Sequence, residues 1–421
     1  MNPYPLTTRS VPLLAASLWL AVALVMPAAE VVSQLKSGDT ITMCGDSITE
    51  SKLYTLYLAE YFLMCQPAAD LKPMQFGWGG ETAHQFLTRI DKILSFNPTV
   101  ATTFYGMNDG KYIPSDPQII AKYRDSTTDI VRRLKKGGVR TIVVGSPGVV
   151  DTATFRRIDP LVYNQTLRDL SAAANEVADK EGVIFADVNA VMMEAMIKAK
   201  TKFGKDFVFA GTDGVHPGGV GHIVIAYAFL KALGCKGDIA SIELDWSTQK
   251  AAASDGHNVL SSQAGTLQME STKYPFCATD PTSRVGMYEL VSFNKELNRF
   301  MLTVTNLPKN RATIFWGDHS AEVSKEELEA GVNLTEKISE NPFRAQFGKV
   351  HALLFQHQNF ETEGLKTADN LLDNWRKLMP GKLAEIDGIR STLLDFAKST
   401  AEAARTAVVP VKYPIRIEPH D

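Results

Sequence analysis

The sequence has few cysteines, no surplus of basic charge and a single long apolar run, and each shortage removes a class of protein. Four cysteines occur in 421 residues: Cys44, Cys65, Cys235 and Cys277. None lies in a Cys-x-x-Cys pair or at a zinc-binding spacing with histidine, and no His-Glu-x-x-His or Walker sequence occurs, so no metal or other cofactor is expected. An oxidising compartment permits disulfides, but four cysteines allow three complete pairings that sequence does not separate. Cys44, in an apolar run, and Cys65, in a helix-like segment, read as buried thiols; a Cys235–Cys277 clip is the alternative for the other two. The net charge of −3 lacks the basic balance of a nucleic-acid binder. The pairs Arg132-Arg133 and Lys135-Lys136 read as the solvated end of a helix. There is no internal repeat and no low-complexity tract.

The one long apolar run, Val11 to Met26, follows Arg9 and leads into Pro27, Ala28 and Ala29. A positive start, a short apolar stretch and a small-residue exit describe a secretory signal peptide. The run is shorter than the roughly 20 residues of a spanning helix. Residues 1–29 are therefore expected to be a signal peptide, and the mature protein to be secreted or periplasmic without stable membrane insertion. At 45% hydrophobic and 22% charged, the rest has an ordinary globular composition, and its length suits two domains.

From Thr40 to Lys236, strand-like and helix-like segments alternate. Strands are predicted at Thr40–Cys44, Met74–Trp78, Val100–Tyr105, Arg140–Gly145 and Val183–Asp187. Helices are predicted at Lys52–Met64, Ile119–Lys136 with a stop at Gly137-Gly138, Asn164–Glu181 and His222–Leu233. This alternation implies right-handed crossovers and a parallel sheet covered on both faces, with ligands at the carboxyl ends of the strands. Residues 30–236 are taken as this α/β domain and 237–421 as a mixed C-terminal region of unknown role. In that region, Phe300–Val304 and Ala312–Trp316 read as a hairpin joined at Asn306–Arg311. Ser324 and Glu327 form a capping-box pattern. Pro342 to Ala407 reads as helical with a break at Pro380-Gly381, and Val408–Pro419 as extended.

Three polar motifs directly follow consecutive strands, and a fourth leads into the last helix. Gly45-Asp46-Ser47 follows the first strand, and alone reads as a turn with a capping serine. It is not the Gly-x-Ser-x-Gly elbow, since position 49 is Thr. Gly79-Gly80-Glu81-Thr82 follows the second strand; a glycine N–H there can donate to an oxyanion, although a helix-opening turn explains it equally. Gly106-Met107-Asn108-Asp109 follows the third strand, where Asn108 brings N–H donors without charge, or closes an Asx turn. In Asp213-Gly214-Val215-His216-Pro217, the carboxylate can reach the imidazole Nδ1, fixing the tautomer that leaves Nε2 facing a nucleophile. His222 belongs to the helix that follows. Trp246, Trp316 and Trp375 read as core residues in preference to a sugar-stacking platform. Ser33-Gln-Leu-Lys36 and Ser247-Thr-Gln-Lys250 match Ser-x-x-Lys, but no Ser-Asp-Asn accompanies them.

Taken together and in this order, the four motifs resemble the blocks of the SGNH or GDSL hydrolases, whose named residues are Ser, Gly, Asn and His. The resemblance covers about residues 38 to 236. It implies a flavodoxin-like three-layer α/β fold and metal-independent ester hydrolysis through an acyl-enzyme. Ser47 would be the nucleophile, and His216 with Asp213 its activating pair. The oxyanion hole would be the N–H groups of Ser47 and Gly80 and the Asn108 side chain, with Asp46 a partner within its own turn. The expected substrate is a small ester or an acylated saccharide, and deacetylation of a carbohydrate the expected reaction. The alternatives are a lipase, lysophospholipase or thioesterase, an O-acyltransferase using the same residues, and a non-catalytic carbohydrate-binding protein on a hydrolase fold.

Overall fold

The computed structural model describes residues 33–421, and the signal peptide expected at 1–29 lies outside the described residues. β1 (Thr40–Gly45), β2 (Lys72–Gly77), β3 (Val100–Phe104), β4 (Thr141–Gly145) and β5 (Ile184–Ala186) form a sheet in the order β2-β1-β3-β4-β5. All its pairings are parallel. Every residue of β3 and β4 is buried, as strands covered on both faces require, which is why neither segment shows polar alternation. The expected α/β domain is present. From β1 the chain turns to one side for β2 and then to the other for β3, so the strand order reverses beside β1. In open parallel sheets that switch point, at the carboxyl ends of the strands, is where ligands bind.

The long helices begin and end on local chemistry. Pro117–Lys136 opens on Asp116, whose side chain accepts from the Gln118 N–H, with proline in its first turn, and stops at Gly137. Pro160–Glu181 repeats the arrangement with Asp159 and Gly182. Acceptor caps, N-terminal proline and C-terminal glycine each satisfy or forgo groups that a helix end leaves orphaned. Arg132 and Lys135 end the first of these helices in ion pairs with Glu181. A further helix, Val188–Phe203, capped by Asp187, covers a stretch to which the sequence patterns assigned no element.

The C-terminal region adds two sheets. One is β13-β10-β6-β7, built from β6 (Asp238–Asp245), β7 (Lys250–Ala253), β10 (Arg299–Thr305) and β13 (Val332–Asn333). The other is β12-β11-β14-β9-β8, built from β8 (His257–Gln263), β9 (Thr266–Ser271), β11 (Arg311–Trp316), β12 (His319–Ser324) and β14 (Val411–His420). The strands expected at 300–304 and 312–316 exist, but they do not form a hairpin. β10 pairs with β6 and β13, whereas β11 pairs with β12 and β14. The turn between them carries the chain from one sheet to the other, so their inward faces meet instead of their edges. Phe300 and Trp316 pack with ring centroids 5.0 Å apart, and Phe343 and Tyr413 complete the cluster. Burying these aromatic faces outweighs the local tendency of two adjacent strands to pair. Trp316 is completely buried there, which removes it from any sugar platform.

The capping box at Ser324 and Glu327 opens the helix Lys325–Ala330. Helices Arg344–Asn359, Thr367–Leu378 and Leu383–Thr406 follow, with the break at Pro380–Lys382. They are bound to the α/β domain by buried polar contacts. The Thr55 hydroxyl donates to Gln358 Oε1 at 2.9 Å, and Glu361 accepts the Gln75 N–H of edge strand β2 at 3.0 Å. Covering an edge N–H in this way satisfies a donor that would otherwise invite strand addition. All four cysteines are buried and unpaired, so the Cys235–Cys277 clip is not formed. Burial pushes the Cys235 thiol up to about 12, which leaves it inert.

Candidate active site

The site is assembled at the ends of β1, β2 and β3 from turns whose residues are set by steric and capping needs. A Cβ on Gly45 would lie 2.8 Å from the Phe104 carbonyl and closer still to the Thr49 side chain, so the chain can turn there only on glycine. Asp46 then caps the single-turn helix Ser47–Glu50, its Oδ1 accepting the Ile48 N–H at 2.9 Å. Ser47 is the first residue of that helix, where a backbone N–H has no intrahelical acceptor. Its hydroxyl lies 2.7 Å from His216 Nε2.

His216 is held from its other side. Asp213 Oδ2 is 2.6 Å from His216 Nδ1, while Asp213 Oδ1 accepts the N–H groups of Val215 and His216 at 2.9 and 3.0 Å. A carboxylate against Nδ1 selects the tautomer with the proton there and leaves the Nε2 lone pair facing the serine. Partial burial works against charge on Asp213, but the hydrogen bonds from His216 and Val215 outweigh it and hold the carboxyl below its ordinary value. It stays ionised, as an orienting carboxylate must. The side chains of His216 and Asp213 are 42% and 50% exposed, so the pair lies open at the surface and not at the bottom of a tunnel.

Gly80, after β2, has φ +72° and open space where a Cβ would stand, and its neighbour Glu81 anchors the turn from below. The Glu81 carboxylate takes two hydrogen bonds from Arg89, at 2.6 and 2.7 Å, and one from the Tyr105 hydroxyl at 2.8 Å. The Glu81 carbonyl accepts from Asn108 Nδ2 at 3.2 Å, and Asp46 Oδ2 lies 3.4 Å from the same nitrogen. Asn108 Oδ1 accepts from the Tyr112 hydroxyl at 3.1 Å, which fixes which end of the amide faces Ser47's turn. Ser47, Gly80, Asn108, Asp213 and His216 thus fall into one constellation linked by hydrogen bonds and chain continuity. His222 does not join it. It is fully buried in helix Gly219–Ala232, its Nδ1 accepts the Tyr54 N–H, and burial depresses it to about 3.

Several supporting contacts had no local signal in the sequence, although Asp109 itself belongs to the third motif. Asp109 accepts from the N–H groups of Ala83 and Gly106, each at 3.0 Å, and so ties the second motif to the third. Asp151, completely buried, pairs with Lys200 at 2.8 Å and accepts from Phe209 and Ala210, while its own N–H donates to the Gly214 carbonyl. It anchors the loop that carries Asp213 and His216. Arg157 lies 3.8 Å from the centre of the Tyr112 ring, a cation–π contact beside the amide of Asn108. Apart from Gly106, each of these partners is distant in sequence, and only the motif ends of the contacts were recognisable.

Burial raises the carboxyls of Asp46 and Asp109 from an ordinary 3.8 to about 7. Between those values the folded protein holds protons that the unfolded chain has released, so rising pH favours unfolding. Their stabilising contribution is therefore present below about pH 4 and lost as pH rises through about 7. The melting temperature should fall between about pH 5 and pH 8, and fall less steeply in Asp109→Asn, which cannot ionise. Equal slopes in thermal scans of the two proteins would assign the protons elsewhere.

Residues 43–223 match the model of the GDSL-like Lipase/Acylhydrolase family. Among solved structures, a gut microbial diltiazem-metabolizing enzyme aligns with a TM-score of 0.72 at 22% identity, covering 93% of this chain and 100% of its own. That similarity establishes the shared fold, C-terminal region included. An acetylxylan esterase from Geobacillus stearothermophilus aligns over 48% of this chain and 96% of its own, with TM-score 0.40 and 19% identity. An alpha/beta hydrolase enzyme from the metagenome of Lake Arreo, Spain, covers 48% and 99% with TM-score 0.39 and 20% identity. No curated protein matches the chain in sequence.

Proposed function

Because the segment 43–223 belongs to the GDSL-like lipase/acylhydrolase family and the protein is a carboxylic ester hydrolase, we propose that Ser47 is its nucleophile and that it deacetylates a carbohydrate outside the cytoplasm. The observation that carries the assignment is the unbroken chain from Ser47 Oγ through His216 to Asp213, with contacts of 2.7 and 2.6 Å. His216 takes the serine proton as Ser47 Oγ bonds to the ester carbonyl carbon. The carbonyl oxygen, now negative, sits among the N–H groups of Ser47 and Gly80 and the Asn108 amide. When the tetrahedral centre collapses, the carbon–oxygen bond to the alcohol breaks and His216 returns the proton to the departing alcohol. Water, deprotonated by His216, then attacks the acyl-enzyme and releases the acid and free Ser47.

Two features support a small acyl group on a large polar alcohol. His216 and Asp213 are about half exposed, so a bulky polymer can present an ester to them. Next to Asp46, the neighbour of Ser47, lie Asn108 and, behind it, Tyr112 and Arg157; these are polar or charged at their tips, and a long acyl chain laid against them would desolvate them without replacement. Export is supported by the apolar run Val11–Met26 behind Arg9. The test is a series of p-nitrophenyl esters from acetate to palmitate, run beside acetylated polysaccharides and with and without EDTA. Highest kcat/KM on acetate, release of acetate from the polysaccharide and indifference to EDTA are expected. A preference for palmitate would favour the lipase alternative, and transfer of acetyl to added sugar in preference to water would favour the acyltransferase.

A further inference from the structure

Beside Gly80 lies a cleft of about 410 Å³ whose walls come from both parts of the chain: Trp78, Gly79, Gly80 and Gln85 on one side, Asn370 and Asp373 of helix Thr367–Leu378 on the other. We propose that this cleft holds the alcohol part of the ester, as a subsite for a hydroxyl-rich ring or short oligosaccharide. The proposal rests on the assignment of Gly80 to the oxyanion hole and on the carbohydrate reading, and it gives the C-terminal region a role in substrate selection.

Three properties converge on that occupant. The cleft begins at Gly79-Gly80, so a group lying in it is bonded close to a carbonyl whose oxygen meets the Gly80 N–H. Its volume falls within the about 300–1,000 Å³ of small-molecule sites. Its lining combines the Trp78 indole, two neutral amides with hydrogen bonds to give, and charges already paired with each other, Glu81 with Arg89 and Lys92 with Asp373. Gln85 spends its Oε1 on the Thr82 N–H and hydroxyl, leaving its Nε2 unengaged among the described residues. Asn370 is exposed and makes no side-chain hydrogen bond among the described residues. Amides of this kind match ring hydroxyls, and Trp78 adds an apolar wall beside them. An alkyl chain in the same place would cover the amides and return no hydrogen bond.

The walls are also fixed relative to each other. Asp373 bridges them, paired with Lys92 on the α/β side and with Arg376 at 3.0 Å on its own helix. Trp78 is flanked by Arg89 and Lys366, 5.2 and 4.9 Å from its ring centre, and Lys366 is in turn paired with Glu50 in the turn that carries Ser47. A ligand therefore meets a preformed surface, which reduces the ordering cost of binding.

The experiment compares p-nitrophenyl acetate with a chemically acetylated xylo-oligosaccharide, using wild type, Asn370→Ala and Asn370→Trp, each checked for folding by circular dichroism. The readout is the ratio of kcat/KM on the oligosaccharide to kcat/KM on the aryl acetate. Asn370→Trp, which fills the cleft from an exposed helix position, should lower this ratio about tenfold or more, chiefly through KM. Asn370→Ala should lower it about threefold. If wild type releases acetate from the oligosaccharide and both variants keep its ratio, the alcohol lies elsewhere and the cleft assignment is wrong. If wild type hydrolyses the aryl acetate and no acetylated saccharide, the carbohydrate reading itself fails and the subsite with it.

Discussion

Ser47→Ala should lower kcat by about 10⁴-fold or more on any ester the protein hydrolyses, without loss of fold. The substitution removes the oxygen that would bond to the acyl group, which lies 2.7 Å from His216 Nε2, and no other side chain hydrogen-bonds that nitrogen among the described residues. The local structure should survive because the cap of the Ser47–Glu50 turn is the Asp46 side chain and not the serine. His216→Gln should cost about as much, and the double variant little more than either single one, because nucleophile and base act as a unit. The measurement is steady-state hydrolysis of p-nitrophenyl acetate beside a melting curve. A folded Ser47→Ala protein that kept even a tenth of the wild-type rate would show that the acyl group is carried by another residue, or by water directly.

Asn108→Ala should lower kcat by about 10² to 10³, roughly 3 to 4 kcal/mol of transition-state stabilisation, with a much smaller change in KM. In the proposed oxyanion hole the amide would donate to an oxygen that becomes negative only as the carbonyl is attacked, so its loss would be felt in the transition state and not in binding. The structure shows what it must give up in doing so. Nδ2 has two acceptors, the Glu81 carbonyl at 3.2 Å and Asp46 Oδ2 at 3.4 Å, and an oxyanion there would compete with them. Asn108→Asp should be at least as damaging, since it sets a second carboxylate beside Asp46 and beside the developing charge. Single-turnover rates on an aryl acetate check the prediction. A folded Asn108→Ala protein with near-normal kcat would make Asn108 only the residue that closes the turn after β3. Substitution of Asp109 should behave differently, because it holds the Ala83 and Gly106 amides and would disturb the placement of both motifs together with stability.

The constellation was legible because its members are bound to short-range necessities. Gly45, Asp46 and Ser47 must be glycine, cap and first helical residue for the chain to leave β1 as it does, and Asp213 reaches His216 within one turn. Residues constrained by their neighbours in sequence leave a motif; residues constrained from far away do not. Asp151 became visible only when Lys200, on the unassigned helix Val188–Phe203, was placed against it. That helix escaped because its apolar positions are diluted by alanine and lysine, which give little periodic contrast. The same distinction explains the failed hairpin at 300–316. Both strands were plain in their alternation, but whether adjacent strands pair edge to edge or face to face is decided by what lies opposite, here Phe343 and Tyr413. The capping box at Ser324 and Glu327, the stop at Gly137-Gly138 and the Pro380-Gly381 break, all local, were legible.

The position of β14 bears on the order in which this chain can fold as it is synthesised. Its ten residues, 411–420, occupy the middle of their sheet, between β9 and β11. Every element of the α/β domain has left the ribosome long before them, and the contacts of that domain are short enough in sequence to form early. The second sheet has no such freedom. Until β14 arrives, β8 with β9 and β11 with β12 exist only as separate two-stranded ribbons, which are marginal in water, and the aromatic cluster around Phe300 lacks Tyr413. A nascent chain at that stage would carry the α/β segment beside an unfinished sandwich with open edges. Termination between residues 325 and 410 would leave it in that state, with Ser47, Asp213 and His216 present but strand edges exposed and free to pair with other chains.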